Sequence, residues 1–97
     1  DIEVAKRVNF KDGIYYTYFK WVPIKLNEMF YPTDEPNITD SVYTRKVDKG
    51  FIHSYSIIPD PNGLYLKAII PKGTKYYINN EGTEIASEKL FITDQKI

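Results

Sequence analysis

Cysteine is absent from this 97-residue chain, which excludes disulfide staples and thiolate metal sites alike. A cysteine-free domain tolerates either redox poise, so the compartment stays open. His53 is the one histidine, and a His-rich metal centre within a single chain is therefore ruled out; no metal is expected. Neither sign of charge is in excess, because 13 basic side chains balance 13 acidic ones. Nucleic-acid binders usually carry a basic surplus, since phosphate neutralisation supplies much of their affinity; nucleic acid is disfavoured as a partner. Long apolar runs are missing too. The longest are a few residues, far short of the roughly 20 that a bilayer-crossing helix needs, and no membrane partner is expected. No charged-then-apolar leader opens the sequence. Its start at Asp1 rather than Met reads as a processed, trimmed or partial chain.

What is present is tyrosine and turn chemistry. Nine Tyr, five Phe and one Trp make 15% of the residues aromatic. That usage favours strands, and surplus Tyr also suits recognition surfaces. The length predicts one domain, residues 1–97, with a single modest core.

Along the chain, the alternation of Ile2, Val4, Val8 and Phe10 suggests a short strand or entry arm, or a helical turn at Glu3 to Arg7. Asp12-Gly13 is a favoured two-residue hairpin turn. Gly13 to Val22 reads as the strongest strand of the first half, in a central position or with an exposed aromatic face, and Pro23 punctuates it. Ile24 to Met29 reads as a short alternating strand, with one helical turn as the alternative. Tyr31 to Asp40, rich in Pro, Asp, Asn and Thr, is the clearest loop, and Asn37-Ile38-Thr39 within it fits the glycan-acceptor pattern. Ser41 to Val47 resumes a strand, and Lys49-Gly50 turns the chain.

From Lys49 to Thr93 the pattern is strand and turn repeated. Phe51 to Ile58 leads into Pro59-Asp60-Pro61-Asn62-Gly63, a type I turn with Gly in the left-handed position. Leu64 to Ile70 is expected to return antiparallel. Pro71-Lys72-Gly73 turns to Lys75–Ile78, and Asn79 to Gly82 forms a hairpin loop back to Glu84–Ala86. Lys89 to Ile92 closes the sheet. No segment sustains helical periodicity. The expected fold is mainly β, with α+β as the alternative: seven or eight mostly antiparallel strands in a barrel-like or split sheet.

Few residues carry chemistry. His53, between Ile52 and Ser54 on an apolar strand, reads as a hydrogen-bonded structural imidazole. Ser54 and Ser56 make no triad with it, for want of a nucleophile elbow. Glu84 and Glu88, with Glu81 nearby, offer paired carboxylates of the glycosidase kind, but on a short hairpin they read as its solvated face. Lys72 and Lys75 interleave with Tyr76 and Tyr77 in a pattern that can stack bases; the charge balance weighs against it.

His53-Ser54-Tyr55-Ser56, then Ile70-Pro71-Lys72-Gly73-Thr74, then Ala86-Ser87-Glu88-Lys89-Leu90 follow one another in an order that resembles the C-terminal half of the mono-ADP-ribosyltransferase fold of bacterial toxins, over residues 50–92. The resemblance implies NAD as cofactor. Ser54 would support the nicotinamide pocket, and Glu88 would hold the ribose hydroxyl and stabilise the developing positive charge. Ala86 stands where the family has the earlier Glu of its Glu-x-Glu element, and Tyr55 replaces the middle Thr of the serine element. The pattern is also similar to that of small domains in phages and gut bacteria.

The favoured function is a non-enzymatic protein-binding or structural module of a larger phage or bacterial assembly, with a protein partner or a second copy and no cofactor. Strand alternation would place Tyr15, Phe19 and Trp21 on one face and Ile14, Tyr16 and Tyr18 on the other. A small domain cannot bury both, so one face is expected to meet the partner, with Tyr76 and Tyr77 as further binding residues. The alternatives are a minimal ADP-ribosyltransferase-like NAD-binding domain acting through Glu88 and Ser54, and a small stoichiometric inhibitor.

Overall fold

The computed structural model describes residues 1–32 and 51–97. The loop beyond Pro32, the Asn37 acceptor pattern, the Ser41 to Val47 strand and the Lys49-Gly50 turn lie outside the described residues. Within them are nine strands and no helix: β1 (Ile2–Lys11), β2 (Ile14–Thr17), β3 (Pro23–Ile24), β4 (Glu28–Phe30), β5 (Ile52–Tyr55), β6 (Tyr65–Ile70), β7 (Tyr76–Ile78), β8 (Glu84–Ser87) and β9 (Leu90–Lys96). Every pairing among them is antiparallel. The all-β, antiparallel expectation holds.

The first strand forms as the alternation suggests, but it is neither short nor an entry arm, and no helical turn forms at Glu3 to Arg7. β1 runs ten residues and sits in the middle of the order β4-β9-β6-β1-β5-β8-β7. Ile2 to Arg7 pair with β6 from Ile70 to Tyr65, while Val8 to Lys11 pair with β2. Its alternation explains both uses: Val4 and Val8 enter the core, and Ala5 and Arg7 face the other side.

β1 also separates two strands expected to form a hairpin. β5 and β6 each pair antiparallel with β1, so they run parallel to one another and never touch as neighbours. The turn between them is real, with Gly63 N–H bonded to Asp60 O at 3.0 Å, but it lies in a crossover. Gly63 is not left-handed either; its requirement is space. By contrast, Asp12 (φ 53°) and Gly13 (φ 80°) form the expected two-residue turn with both φ positive. The Asn79 to Gly82 loop joins β7 and β8 as read, with Gly82 N–H on Asn79 O at 3.0 Å.

The sheet is open in its hydrogen bonding yet rolled. Ser87 at the end of β8 and Leu90 at the start of β9 stand four places apart in the strand order. A flat sheet would put about 19 Å between them, whereas three Cα steps span at most about 11 Å. The strands must therefore curl, and the concave side holds the core: Val4, Val8, Ile24, Ile52, Leu66, Ala68, Ile70, Ile85, Leu90 and Ile92. At the same time β8 and β9 are not paired, so Lys89 to Ile92 does not close a barrel. β9 instead pairs with β6 and β4. A register shift interrupts the β6–β9 ladder between Leu66 and Ala68, and there the Thr93 hydroxyl donates to Lys67 O at 2.7 Å.

The aromatic segment departs most. The strand ends at Thr17, and Tyr18 to Lys20 form a turn. Thr17 N–H bonds to Val22 O at 2.9 Å, and the Thr17 hydroxyl accepts from Val22 N–H at 3.0 Å. Asn9 Nδ2 donates to Tyr18 O at 2.8 Å and Thr17 O at 3.2 Å. Trp21 takes φ 57°, a conformation costing a bulky residue of order 1 kcal/mol or more. No Gly or Pro announces this break, because the Asn9 side chain of β1 and the Thr17 hydroxyl of β2 itself make it. β2 is accordingly short, and among the described residues it pairs with β1 and β3 alone. The segment Ile24 to Met29 is likewise split, by Asn27 at φ 59°.

Candidate functional site

The two-faced arrangement expected for the aromatic segment is replaced by three ring pairs. Tyr15 faces Phe10 across the ladder, ring centroids 4.6 Å apart, and packs on the core. Trp21 folds back onto Tyr16 at 5.5 Å instead of sharing a face with Tyr15. Phe19 meets Tyr18 edge-on at 5.0 Å. Phe10, Trp21, Phe19 and Ile14 remain 54%, 50%, 47% and 45% exposed, whereas Tyr15, Tyr16 and Tyr18 are half-buried. Tyr76 and Tyr77 lie elsewhere, on β7 at the end of the strand order. Tyr76 is exposed beside a cavity of about 200 Å³ bounded by Ile2, Ile70, Pro71 and Thr74. Tyr77 is half-buried against Phe51 at 5.3 Å, with Lys75 Nζ 5.8 Å from its ring.

On the outer face of the sheet a second aromatic group assembles from four strands and a turn. Residues directly opposite in an antiparallel register point the same way, so Arg7 shares a side with Tyr65, and Ala5 with Tyr55. Tyr55 in turn shares it with Glu84, and His53 with Ala86. The Arg7 guanidinium lies 4.0 Å over the Tyr18 ring and bonds to Asp60 Oδ2 at 3.0 Å. Tyr65 and Tyr55 meet edge-on at 6.1 Å, as do Tyr55 and His53 at 4.6 Å. His53 Nε2 is 3.1 Å from Glu84 Oε1.

Electrostatics follow burial here. Desolvation, with the Lys6 charge second, lowers the His53 pKa to about 3; the Glu84 contact favours the imidazolium, and burial outweighs it. A neutral His53 then donates Nε2–H to the carboxylate. The Tyr55 hydroxyl is pushed up to about 12 by burial, then by Glu84.

Next to this pair a cavity of about 270 Å³ opens between Tyr55, Ile57, Pro59, Thr83 and Glu84. Its walls are fastened. Asn79 Oδ1 accepts from Thr83 N–H at 2.8 Å and from Glu84 N–H at 3.1 Å. Ser56 N–H bonds to Thr83 O at 2.9 Å, and the Ser56 hydroxyl donates to Gly82 O. Arg7, Tyr55 and Asp60 were outside the sequence-predicted set, since their neighbours come from distant strands. Glu84 carried a signal as one of the paired acids, though no local pattern tied it to Tyr55.

The two residues implied by the transferase resemblance sit in unlike settings. Ser54 is fully buried on the core side, and its Oγ has no hydrogen-bond partner among the described residues. Glu88 is exposed past the end of β8, its N–H held by Lys75 O at 3.1 Å. Among the described residues no three His, Cys, Asp or Glu side chains converge as a metal site, and no helix is long and apolar enough to cross a membrane. Comparisons with protein-family models, with curated proteins and with solved structures find no match to this chain.

Proposed function

We propose that the chain is a non-enzymatic protein-binding module whose aromatic hairpin, β1 to β2 with the turn to Val22, meets a protein partner. The observation that supports this is the exposure of Phe10, Ile14, Phe19 and Trp21 on one hairpin and its turn. Tyr15 and Tyr16 brace Phe10 and Trp21, so little side-chain entropy remains to be lost on association, and rings of this kind concentrate binding energy. A two-residue turn with obligatory positive φ fixes the presentation of Phe10 and Tyr15.

Trp21 is the one tryptophan of the chain and so reports on its own surface. Its emission, solvent-exposed in the free protein, shifts to the blue when a partner covers it. A shift that grows with protein concentration, together with a rise in sedimentation coefficient, identifies a second copy as that partner. Where a separate protein is captured, Phe10→Ala with Trp21→Ala releases it while far-ultraviolet dichroism stays native. Capture that survives the double substitution removes the reading.

A further inference from the structure

The cavity beside Glu84 is built differently from the aromatic hairpin, and its chemistry does not depend on the reading given to that hairpin. One wall is an aromatic ring, Tyr55; two are apolar, Ile57 and Pro59; the fourth carries a carboxylate, Glu84. The cations nearby already have partners: Lys6 Nζ donates to His53 O at 2.8 Å. Arg7 is engaged with Asp60 at 3.0 Å. His53 touches Glu84 as a neutral donor, so it orients the carboxylate without cancelling its charge. Among the described residues each Glu84 oxygen takes one hydrogen bond, Oε1 from His53 and Oε2 from Asn79 Nδ2 at 3.3 Å. A carboxylate offers about four acceptor sites, and roughly half stay available. A lone carboxylate cannot cage a divalent metal, which wants several oxygens. An anion would be repelled.

We propose that this cavity takes a cationic side chain from a partner protein, a guanidinium or an ammonium on an alkyl stem. The cation sits against the Tyr55 ring, where the face of the π system attracts positive charge, and donates to Glu84, a charge-assisted bond. The stem lies on Ile57 and Pro59. Because Asn79 and Ser56 tie down Thr83 and Glu84 before any ligand arrives, binding loses little to ordering.

The test uses the whole chain, labelled with ¹⁵N and titrated with three probes: N-acetyl-arginine methylamide, its lysine counterpart and its norleucine counterpart. Arginine or lysine should produce saturable shifts at the amides of Tyr55, Ile57, Thr83 and Glu84, and comparing the two tells which cation is preferred. Norleucine, with a stem and no charge, should produce none. Glu84→Gln should weaken the cationic probe by about tenfold or more, the usual scale for a charge-assisted contact with ring support. Should that variant fail to fold, Ile57→Lys serves: Ile57 is 62% exposed in a bend, and a fixed cation at the cavity mouth should repel the probe to a similar degree. Norleucine binding as well as the cations, no saturable shift up to the solubility limit, or unchanged affinity in the folded variants would overturn the proposal. Hairpin variants leave all of these readouts unmoved, so the two readings fail separately.

Discussion

Gly63 lies so close to Tyr65 that a Cβ at residue 63 would stand 2.7 Å from the Tyr65 ring carbon Cε1. Tyr65 is itself 1% exposed and cannot swing away, and Arg7 Nε and Cζ would stand at 3.1 and 3.2 Å from the same Cβ. Gly63→Ala should therefore cost about 1–3 kcal/mol, the usual toll of overpacking, read as a lower urea midpoint at unchanged slope. Replacing Tyr65 by Leu in the same chain should recover part of it, since the obstructing ring carbon is gone. Equal losses with and without the ring would show that the backbone, and not Tyr65, sets the requirement.

His53 makes stability depend on pH in a definite direction. Its pKa is held at about 3 in the folded protein, against an ordinary value near 6.5 when unfolded. Between those values the unfolded chain binds the extra proton, so stability falls as pH drops from about 6.5 toward 3, by up to about 1.4 kcal/mol per unit. Above 6.5 the group contributes no slope. His53→Gln should flatten this part of the profile. An imidazole that NMR shows titrating near neutrality in the folded state would mean that the Glu84 ion pair has won over burial.

Ser54 buries a hydroxyl without a partner among the described residues. Such a group costs desolvation and returns nothing. Ser54→Ala should leave thermal stability unchanged or raise it by a degree or more. A clear loss of stability would reveal a bond to that oxygen. The same variant speaks to the transferase resemblance, under which it should weaken any heat of NAD binding; Glu88→Gln should act in parallel.

Tyr55 offers a probe of the Glu84 side. Burial and then Glu84 raise its hydroxyl to about 12, so the folded protein keeps the proton that the unfolded chain releases near 10. Stability should thus decline as pH rises through 10 toward 12. Removing the neighbouring charge with Glu84→Gln should bring the Tyr55 titration, followed by ¹³C shifts of the ring, down toward 10. An unmoved curve would separate the two side chains electrostatically.

Parts of this molecule can be read from short windows of sequence. Asp12-Gly13 and Asn79 to Gly82 specify their turns through backbone conformations that few residues adopt, and both hairpins form where expected. The antiparallel β character follows from aromatic and β-branched usage with no sustained helical period. The Gly13 to Val22 segment shows the limit of such reasoning. Its composition favours a strand to the end, yet Asn9 and the Thr17 hydroxyl seize the backbone groups that would have continued it. Their action is set by the register with β1, which strand propensity within the segment does not express.

The placement of β1 is of the same kind. Nothing within Lys49 to Thr93 reveals that a strand from the other end of the chain enters between β5 and β6. Its alternating Val4 and Val8 find their burial only when both flanks are occupied. The outer-face group of Arg7, Tyr18, Tyr55, His53 and Glu84 depends on that insertion. Local steric preference writes the turns and the strand-forming tendency into neighbouring residues. Which strands pair, and so which side chains share a cavity, is settled by the free energy of burying apolar faces across long separations, and that quantity exists only once the chain has closed on itself.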